Sequence, residues 1–326
     1  MISLPRIKIA QLPTPIEPLP RLSKLLAGPK IFIKRDDQTG LAFGGNKTRK
    51  LELLLAEAQI SGSRTLITAG AVQSNHCRQT AAAAARFGFE CILILTGEMP
   101  AVESGNLLLD HLFGAELVFT RREHRDQTLQ EVFDSTYKDG RMPYLIPYGG
   151  SSPIGAAGYV LAIQEMMEQD SDFDWIVIPS SSGGTQAGMV LGGQLSGFRG
   201  QILGISIDED ENVLKQRVAD LATNTARTIG EQTNISASNV QVNADYLGEG
   251  YGVMGNPEVE AINLFARYEG LLLDPVYTGR AAAGLIDLIR QGFFAKDSNV
   301  LFWHTGGTPA LFADRYKGLI LEHSRK

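Results

Sequence analysis

Short apolar runs alternate with segments of helical spacing along almost the whole chain, and that order leaves few architectures open. "KIFIKRDD" (residues 30–37) alternates as a strand does, and "RTLITAGA", "ECILILTG", "DWIVIP", "QILGISID" and "NVLFWHTG" are apolar strands. Between them, residues 47–62, 74–88, 104–114, 152–169 and 211–226 carry helical spacing. So do "GTQAGMVLGGQLSG", "NPEVEAINLFARYEG" and "TGRAAAGLIDLIRQG". Short strands are also predicted at residues 115–120, 144–150 and "LLLDPVY", and a last helix at "TPALFADRYKG". Such alternation predicts an α/β protein of mostly parallel open sheets with helices on both faces. Ligands of these sheets sit beyond the carboxyl ends of the strands, so functional residues belong in the turns that follow strands.

A chain of 326 residues predicts two domains. The expected division is a large domain of residues 1–47 plus 166–326, with a small α/β domain, 48–165, inserted in it. Hydrophobic residues are 44% and charged residues 20%, enough for a sizeable core. A net charge of -6 argues against general binding to nucleic acid or anionic membrane. Cys77 and Cys91 make no disulfide framework and no metal-ligand spacing, and read as reduced thiols of a cytoplasmic protein. The start, "MISLPRIKIAQLPTPIEPLPRL", is too broken by proline for a signal peptide, and no run is long enough for a membrane span.

Several glycine- or serine-marked turns stand where a ligand would be met. Gly44-Gly45-Asn46-Lys47 closes a tight turn directly before a helix. The glycines open backbone geometry that other residues avoid, and the lysine falls where helix dipoles are positive. A positive surround pushes an amine down from its usual pKa of about 10.4, toward the nucleophile that a Schiff-base lysine must be. The plainer reading is a surface lysine beside Arg49 and Lys50.

"PSSSGGTQAGM" (residues 179–189) follows a strand and would aim several backbone N–H groups at one point, as an anion cradle does. It matches neither the dinucleotide fingerprint nor the P-loop, so a single phosphate monoester fits better; close helix–strand packing would also explain its glycines. "AVQSNHCRQT" (residues 71–80) offers Ser74, Asn75 and helix-start amides to a carboxylate, although Ser74 also reads as a simple N-cap. His76 is a base or a structural histidine. In "DPVYTG" and "WHTGG", Thr278 reads first as an N-cap, and His304 as a base or a packed strand end. Asp36 and Asp37 read as turn formers in "RDDQTG" rather than as a catalytic pair.

Together, "IKRDD…GGNKTRKLE", "QSNHCRQTAAAAA", "SSSGGTQAGM", "DPVYTG" and "HTGG" stand in the order of one family, which the chain resembles nearly end to end. It is the pyridoxal-phosphate enzymes of fold type II (tryptophan synthase β-like) that include 1-aminocyclopropane-1-carboxylate deaminase and D-cysteine desulfhydrase. The resemblance implies pyridoxal 5'-phosphate as cofactor, a small amino acid as substrate and a homodimer. It matches Lys47 to the Schiff-base lysine and Asn75 to the residue that bonds the ring 3′-oxygen. Ser74, Asn75 and His76 match the turn that takes the substrate carboxylate, with Ser74 also counted as catalytic and Thr278 as substrate-binding. Ser182, Gly183, Gly184 and Thr185 match the phosphate loop. Tyr251 and Tyr277 match the two active-site tyrosines, and Thr305 the residue near the pyridine nitrogen.

Within the family, the deaminases look like "VYEG" and "HLGG" and tend to have glutamine at the place of His76; this chain has Thr278 and Thr305. A glutamate beside the pyridine nitrogen would strengthen the electron sink that ring opening needs, whereas expelling sulfur from Cβ needs less. The resemblance therefore implies β-elimination of D-cysteine to pyruvate, ammonia and hydrogen sulfide. Freed Lys47 would take the Cα proton, and Tyr277, with Tyr251, would orient or protonate the leaving sulfur. Ring-opening deamination, L-cysteate sulfo-lyase activity and serine or threonine dehydration stay open as alternatives. A catalytically silent cofactor-binding protein is the alternative of another class.

Overall fold

The computed structural model describes residues 4–324, so the first residues of the stretch weighed above as a leader lie outside the described residues. In chain order the strands are β1 (Ile16–Pro18), β2 (Lys30–Arg35), β3 (Thr65–Ala71), β4 (Glu90–Thr96), β5 (Glu116–Thr120), β6 (Pro143–Leu145), β7 (Trp175–Ser180), β8 (Gln201–Ser206), β9 (Gln241–Asn243) and β10 (Asn299–His304). The helices are α1 (Pro20–Leu26), α2 (Lys47–Ile60), α3 (Asn75–Phe87), α4 (Asn106–Leu112), α5 (Arg125–Lys138), α6 (Pro153–Gln169), α7 (Gly184–Ser196), α8 (Glu211–Thr228), α9 (Asn256–Glu269), α10 (Thr278–Arg290) and α11 (Asp314–Ser324).

The strands form two sheets, one of six strands in the order β1-β2-β10-β7-β8-β9 and one of four in the order β5-β4-β3-β6. β1 pairs antiparallel with β2, and every other pairing is parallel. The central strands are apolar on both faces because helices cover both, as in "WIVIPS" of β7, where Ile176, Val177 and Ile178 are all buried. The alanine run of α3 is buried as well: Ala81–Ala84 pack where larger side chains would hold the helix off.

The larger sheet and α2 are joined through a buried ionic cluster. Arg49 donates to both oxygens of Asp36 at 2.8 and 3.0 Å and to both of Glu165 at 2.8 and 2.9 Å. Tyr159 donates to Asp36 at 2.5 Å, and Lys34 reaches Glu165 at 2.7 Å. Buried ion pairs add little net stability after desolvation, but they tolerate one geometry only. This one ties the end of β2, the first turn of α2 and the helix α6 together. Asp36 is thereby structural, and Asp37 pairs with Arg35 at 2.8 Å.

Some expected elements differ. "LLLDPVY" is not a strand: the amides of Val276, Tyr277 and Thr278 bond to the Asp274 carboxylate instead of a neighbouring strand. The strand expected at 144–150 stops at Leu145, and Tyr148–Gly150 form a 3-10 turn. The last helix divides into a 3-10 turn, Thr308–Phe312, and α11. Helix α5 was not expected, since its sequence, RDQTLQEVFDSTYK, buries only Thr136 and carries little apolar periodicity.

Candidate active site

The carboxyl ends of β3, β7 and β10 converge, and the turns after them line one inner cavity. Lys47 enters it from the loop before α2. Gly44 (φ +63°) and Gly45 (φ +128°) make that loop possible, because a Cβ on Gly44 would stand 2.0 Å from the carbonyl oxygen of Asp37. The Gly45 amide bonds to the Asp36 carbonyl at 2.9 Å, and the Asn46 amide to the Thr305 carbonyl at 3.0 Å. The lysine is therefore set at the first position of α2 by contacts on both sides. Burial pulls its pKa down to about 8, and the Asp274 carboxylate opposes that pull. The direction is the expected one; the leading cause is desolvation rather than a positive surround.

The serine–glycine loop after β7 supplies Ser182, Gly183, Gly184 and Thr185. Gly183 takes a left-handed conformation (φ +83°) to turn the chain into α7. A Cβ on Gly184 would meet Ser151 Oγ at 2.4 Å and Lys50 Nζ at 2.9 Å. Ser151 Oγ accepts the Gly184 amide at 3.2 Å and lies 2.8 Å from Ser182 Oγ, while Thr185 Oγ1 accepts from Asn46 at 3.0 Å. Close packing explains glycines further along, since a Cβ on Gly188 would stand 2.0 Å from the Ala156 carbonyl oxygen of α6.

Lys50 and Ser151 are the residues that sequence reasoning missed here. Lys50 is buried, donates to the Gly149 carbonyl at 3.1 Å, and sits beside the start of α7. Burial, then the nearby Lys47 cation, push its amine well below the ordinary lysine range. The signal was its place three residues after Lys47, on the same helix face.

After β3, Ser74 caps α3: its Oγ accepts the Cys77 amide at 3.2 Å, which leaves its proton free to donate. Asn75 and His76 line the cavity beside it. His76 Nε2 lies 3.0 Å from Thr68 Oγ1, and burial followed by the two lysines keeps the ring neutral.

Tyr277 lines the inner cavity, while Tyr251 lines an outer vestibule of about 720 Å³, and their hydroxyls lie 2.6 Å apart. Burial raises the pKa of both well above the usual phenol value. Tyr148 faces both spaces. Thr305 lines the inner cavity. Thr278 does not. Its hydroxyl donates to Asp274 Oδ1 at 2.7 Å and accepts the Asp274 amide at 2.8 Å. Thr278 is thus the first residue of α10 rather than its cap, the Asp274 carboxylate takes up the amides there, and the Thr278 side chain is fully buried against that carboxylate, outside the lining of the inner cavity. His304 is also packed, accepting the Gly306 amide at 3.1 Å.

These residues fit the expected cofactor. A buried amine with a lowered pKa faces the cavity, a second buried amine waits beside helix-start amides where a phosphate dianion would offset it, and Ser180 Oγ, at the cavity wall, has no hydrogen-bond partner.

A family model described as pyridoxal-phosphate dependent enzyme matches residues 7–306. The D-cysteine desulfhydrases of Salmonella choleraesuis (strain SC-B67) and Salmonella typhi are each 42% identical over 318 residues, covering 95% of this chain and 96% of theirs. The crystal structure of an ACC deaminase homologue superposes with a TM-score of 0.90 at 36% identity, covering 98% of this chain and 96% of that one. A fungal L-serine ammonia-lyase from Rhizomucor miehei shares the fold, with a TM-score of 0.69, 18% identity and 99% of each chain covered. The chain belongs to the pyridoxal-phosphate dependent enzymes of fold type II, and its cofactor is pyridoxal 5'-phosphate.

Proposed function

We propose that the protein eliminates sulfide from D-cysteine, giving pyruvate, ammonia and hydrogen sulfide with uptake of one water. The observation that carries this reading is the Tyr277–Tyr251 hydroxyl pair at the wall of the Lys47 cavity. It is supported by the full-length likeness to D-cysteine desulfhydrases. The bound cofactor supplies the sink for negative charge left on the substrate's α-carbon. The chain supplies aim and protons. The turn at Ser74, Asn75 and His76 holds the substrate carboxylate on helix-start amides. Lys47, its pKa drawn down to about 8 by burial, takes the α-proton. Tyr277, kept protonated by burial, donates to the leaving sulfur and is resupplied by Tyr251. Ser182, Gly183, Gly184 and Thr185, with Lys50 and Ser151, hold the phosphate.

Ring opening is the second reading, because the ACC deaminase homologue is similar over nearly the whole chain. Against it, no carboxylate lines the inner cavity among the described residues, and the Asp274 carboxylate that acts on Lys47 is taken up by the amides of Val276, Tyr277 and Thr278 and by the Thr278 hydroxyl.

The same reading takes residues 48–165 as the smaller domain, supported by a four-stranded sheet drawn wholly from residues 65–145. It takes the protein as a cytoplasmic homodimer, supported in the first respect by two buried free cysteines. Among the described residues no helix is long and apolar enough to cross a membrane.

A panel of D-cysteine, L-cysteine, L-cysteate and the cyclopropane acid, scored for pyruvate or ketobutyrate, tests the assignment. Fastest pyruvate release from D-cysteine is expected. Ketobutyrate from the cyclopropane acid, with no turnover of D-cysteine, would reverse the choice.

A further inference from the structure

Behind Asn75 lies a chain of hydrogen bonds whose polarity has only one solution. Arg78 is fully buried, and its guanidinium meets neutral oxygens: Asn75 Oδ1 at 3.1 Å, Asn106 Oδ1 at 2.8 Å and the Gly44 carbonyl at 2.9 Å. At the other end, Asn106 Nδ2 donates to the Gln73 carbonyl at 2.8 Å and to Asn75 Oδ1 at 2.9 Å. A guanidinium can only donate, and a carbonyl can only accept. Asn106 therefore cannot turn its amide over, and neither can Asn75, whose oxygen takes two donors at once. What Asn75 has left for the cavity it lines is its N–H₂ group. Room is kept for that group by Gly307, where a Cβ would stand 2.7 Å from Asn75 Nδ2.

Burying a guanidinium whose hydrogen bonds go to neutral oxygens is costly; burial draws the Arg78 pKa down, to about 10, against the opposing pull of the Asp110 and Asp274 carboxylates, which leaves it charged at neutral pH. A charge kept there polarises the amide bonded to it and strengthens the N–H on the far side as a donor.

We infer that Arg78 and Asn106 are positioning residues that lock Asn75 as a hydrogen-bond donor, so that the site receives the ring oxygen of its cofactor as an anion. The inference rests on the cofactor and not on the choice of D-cysteine as substrate. A donor at that oxygen draws negative charge away from the adjacent imine proton, so the proton should leave at lower pH with the clamp than without it.

The test compares wild type, N75A, R78M, N106A and the double variant N75A/R78M. Each apoprotein is titrated with pyridoxal phosphate and with its 3-O-methyl ether, and the pH midpoint of the visible band is followed in the loaded proteins. Wild type should prefer the free phenol by about tenfold or more. R78M should lose most of that preference and raise the midpoint, as N75A does, and the double variant should go no further than N75A. N106A, which keeps the arginine, should shift both readouts in the same direction by less, and R78K should restore part of the preference. An R78M or N106A protein that binds both forms more weakly but keeps the wild-type preference and midpoint would overturn the inference, since that is what a purely structural arginine does. Wild type without a visible band would remove the cofactor assignment, and the clamp with it.

Discussion

The hydroxyls of Tyr277 and Tyr251 lie 2.6 Å apart, and the bond between them joins the inner cavity to the outer vestibule. Whichever proton Tyr277 gives up inside can be replaced from the side that opens to solvent. Tyr277→Phe should lower kcat for D-cysteine by about 10²–10⁴-fold, the usual share of a general acid. Tyr251→Phe should cost less, because Tyr277 keeps its own proton. Steady-state sulfide release measures both; a larger loss in Tyr251→Phe than in Tyr277→Phe would mean that the outer hydroxyl, not the inner one, meets the sulfur.

Lys47→Ala should abolish pyruvate formation and leave cofactor binding weakened but measurable, since the phosphate contacts stay in place. Absorbance titration with pyridoxal phosphate reads the binding, and a coupled pyruvate assay reads the chemistry. Full activity in this variant would remove the lysine from its role.

Lys50 has no carboxylate contact, and burial holds its amine well below the ordinary range, which favours the neutral form until an anion arrives. Lys50→Met should therefore weaken retention of pyridoxal phosphate by about 10–100-fold, the worth of one hydrogen bond to a charged group. Its affinity for pyridoxal, which lacks the phosphate, should change little. Dialysis followed by cofactor quantitation distinguishes the two.

His76 is buried neutral, with its pKa well below the free value of about 6.5. Below that pH the unfolded chain binds a proton there and the folded chain does not. Stability should therefore fall with acidification, by about 1 kcal/mol per pH unit from this group, and level off above about pH 6.5. Chemical denaturation of His76→Gln against wild type between pH 5 and 7, each value on the order of the free pKa, should show a shallower slope in the variant.

Gly44→Ala puts a Cβ 2.0 Å from the Asp37 carbonyl oxygen on a backbone with φ +63°. Strain of that kind costs about 1–3 kcal/mol, and here it falls on the loop that carries Lys47. A lower Tm and weaker cofactor binding are expected together, by thermal melts with and without pyridoxal phosphate.

Much of this molecule was legible in its sequence. The alternation of apolar strands with helical segments determined the parallel sheets, because backbone pairing and two-sided burial act on local patterns. The glycine and serine turns marked the loops that reach the cavity, and Lys47, Asn75, Gly183 and Tyr277 all stand there. Tertiary structure alone decided what those patterns cannot carry. Asp274, and not Thr278, takes up the amides at the start of α10, because a carboxylate four residues back could gather three of them. Lys50 became a buried amine of lowered pKa only because the turn at Gly149 and the start of α7 close over it, and Asn75 acquired its one orientation from Asn106, which is 31 residues away in sequence. Desolvation and hydrogen-bond polarity depend on which distant groups share a small volume, and the order of residues along the chain does not state that.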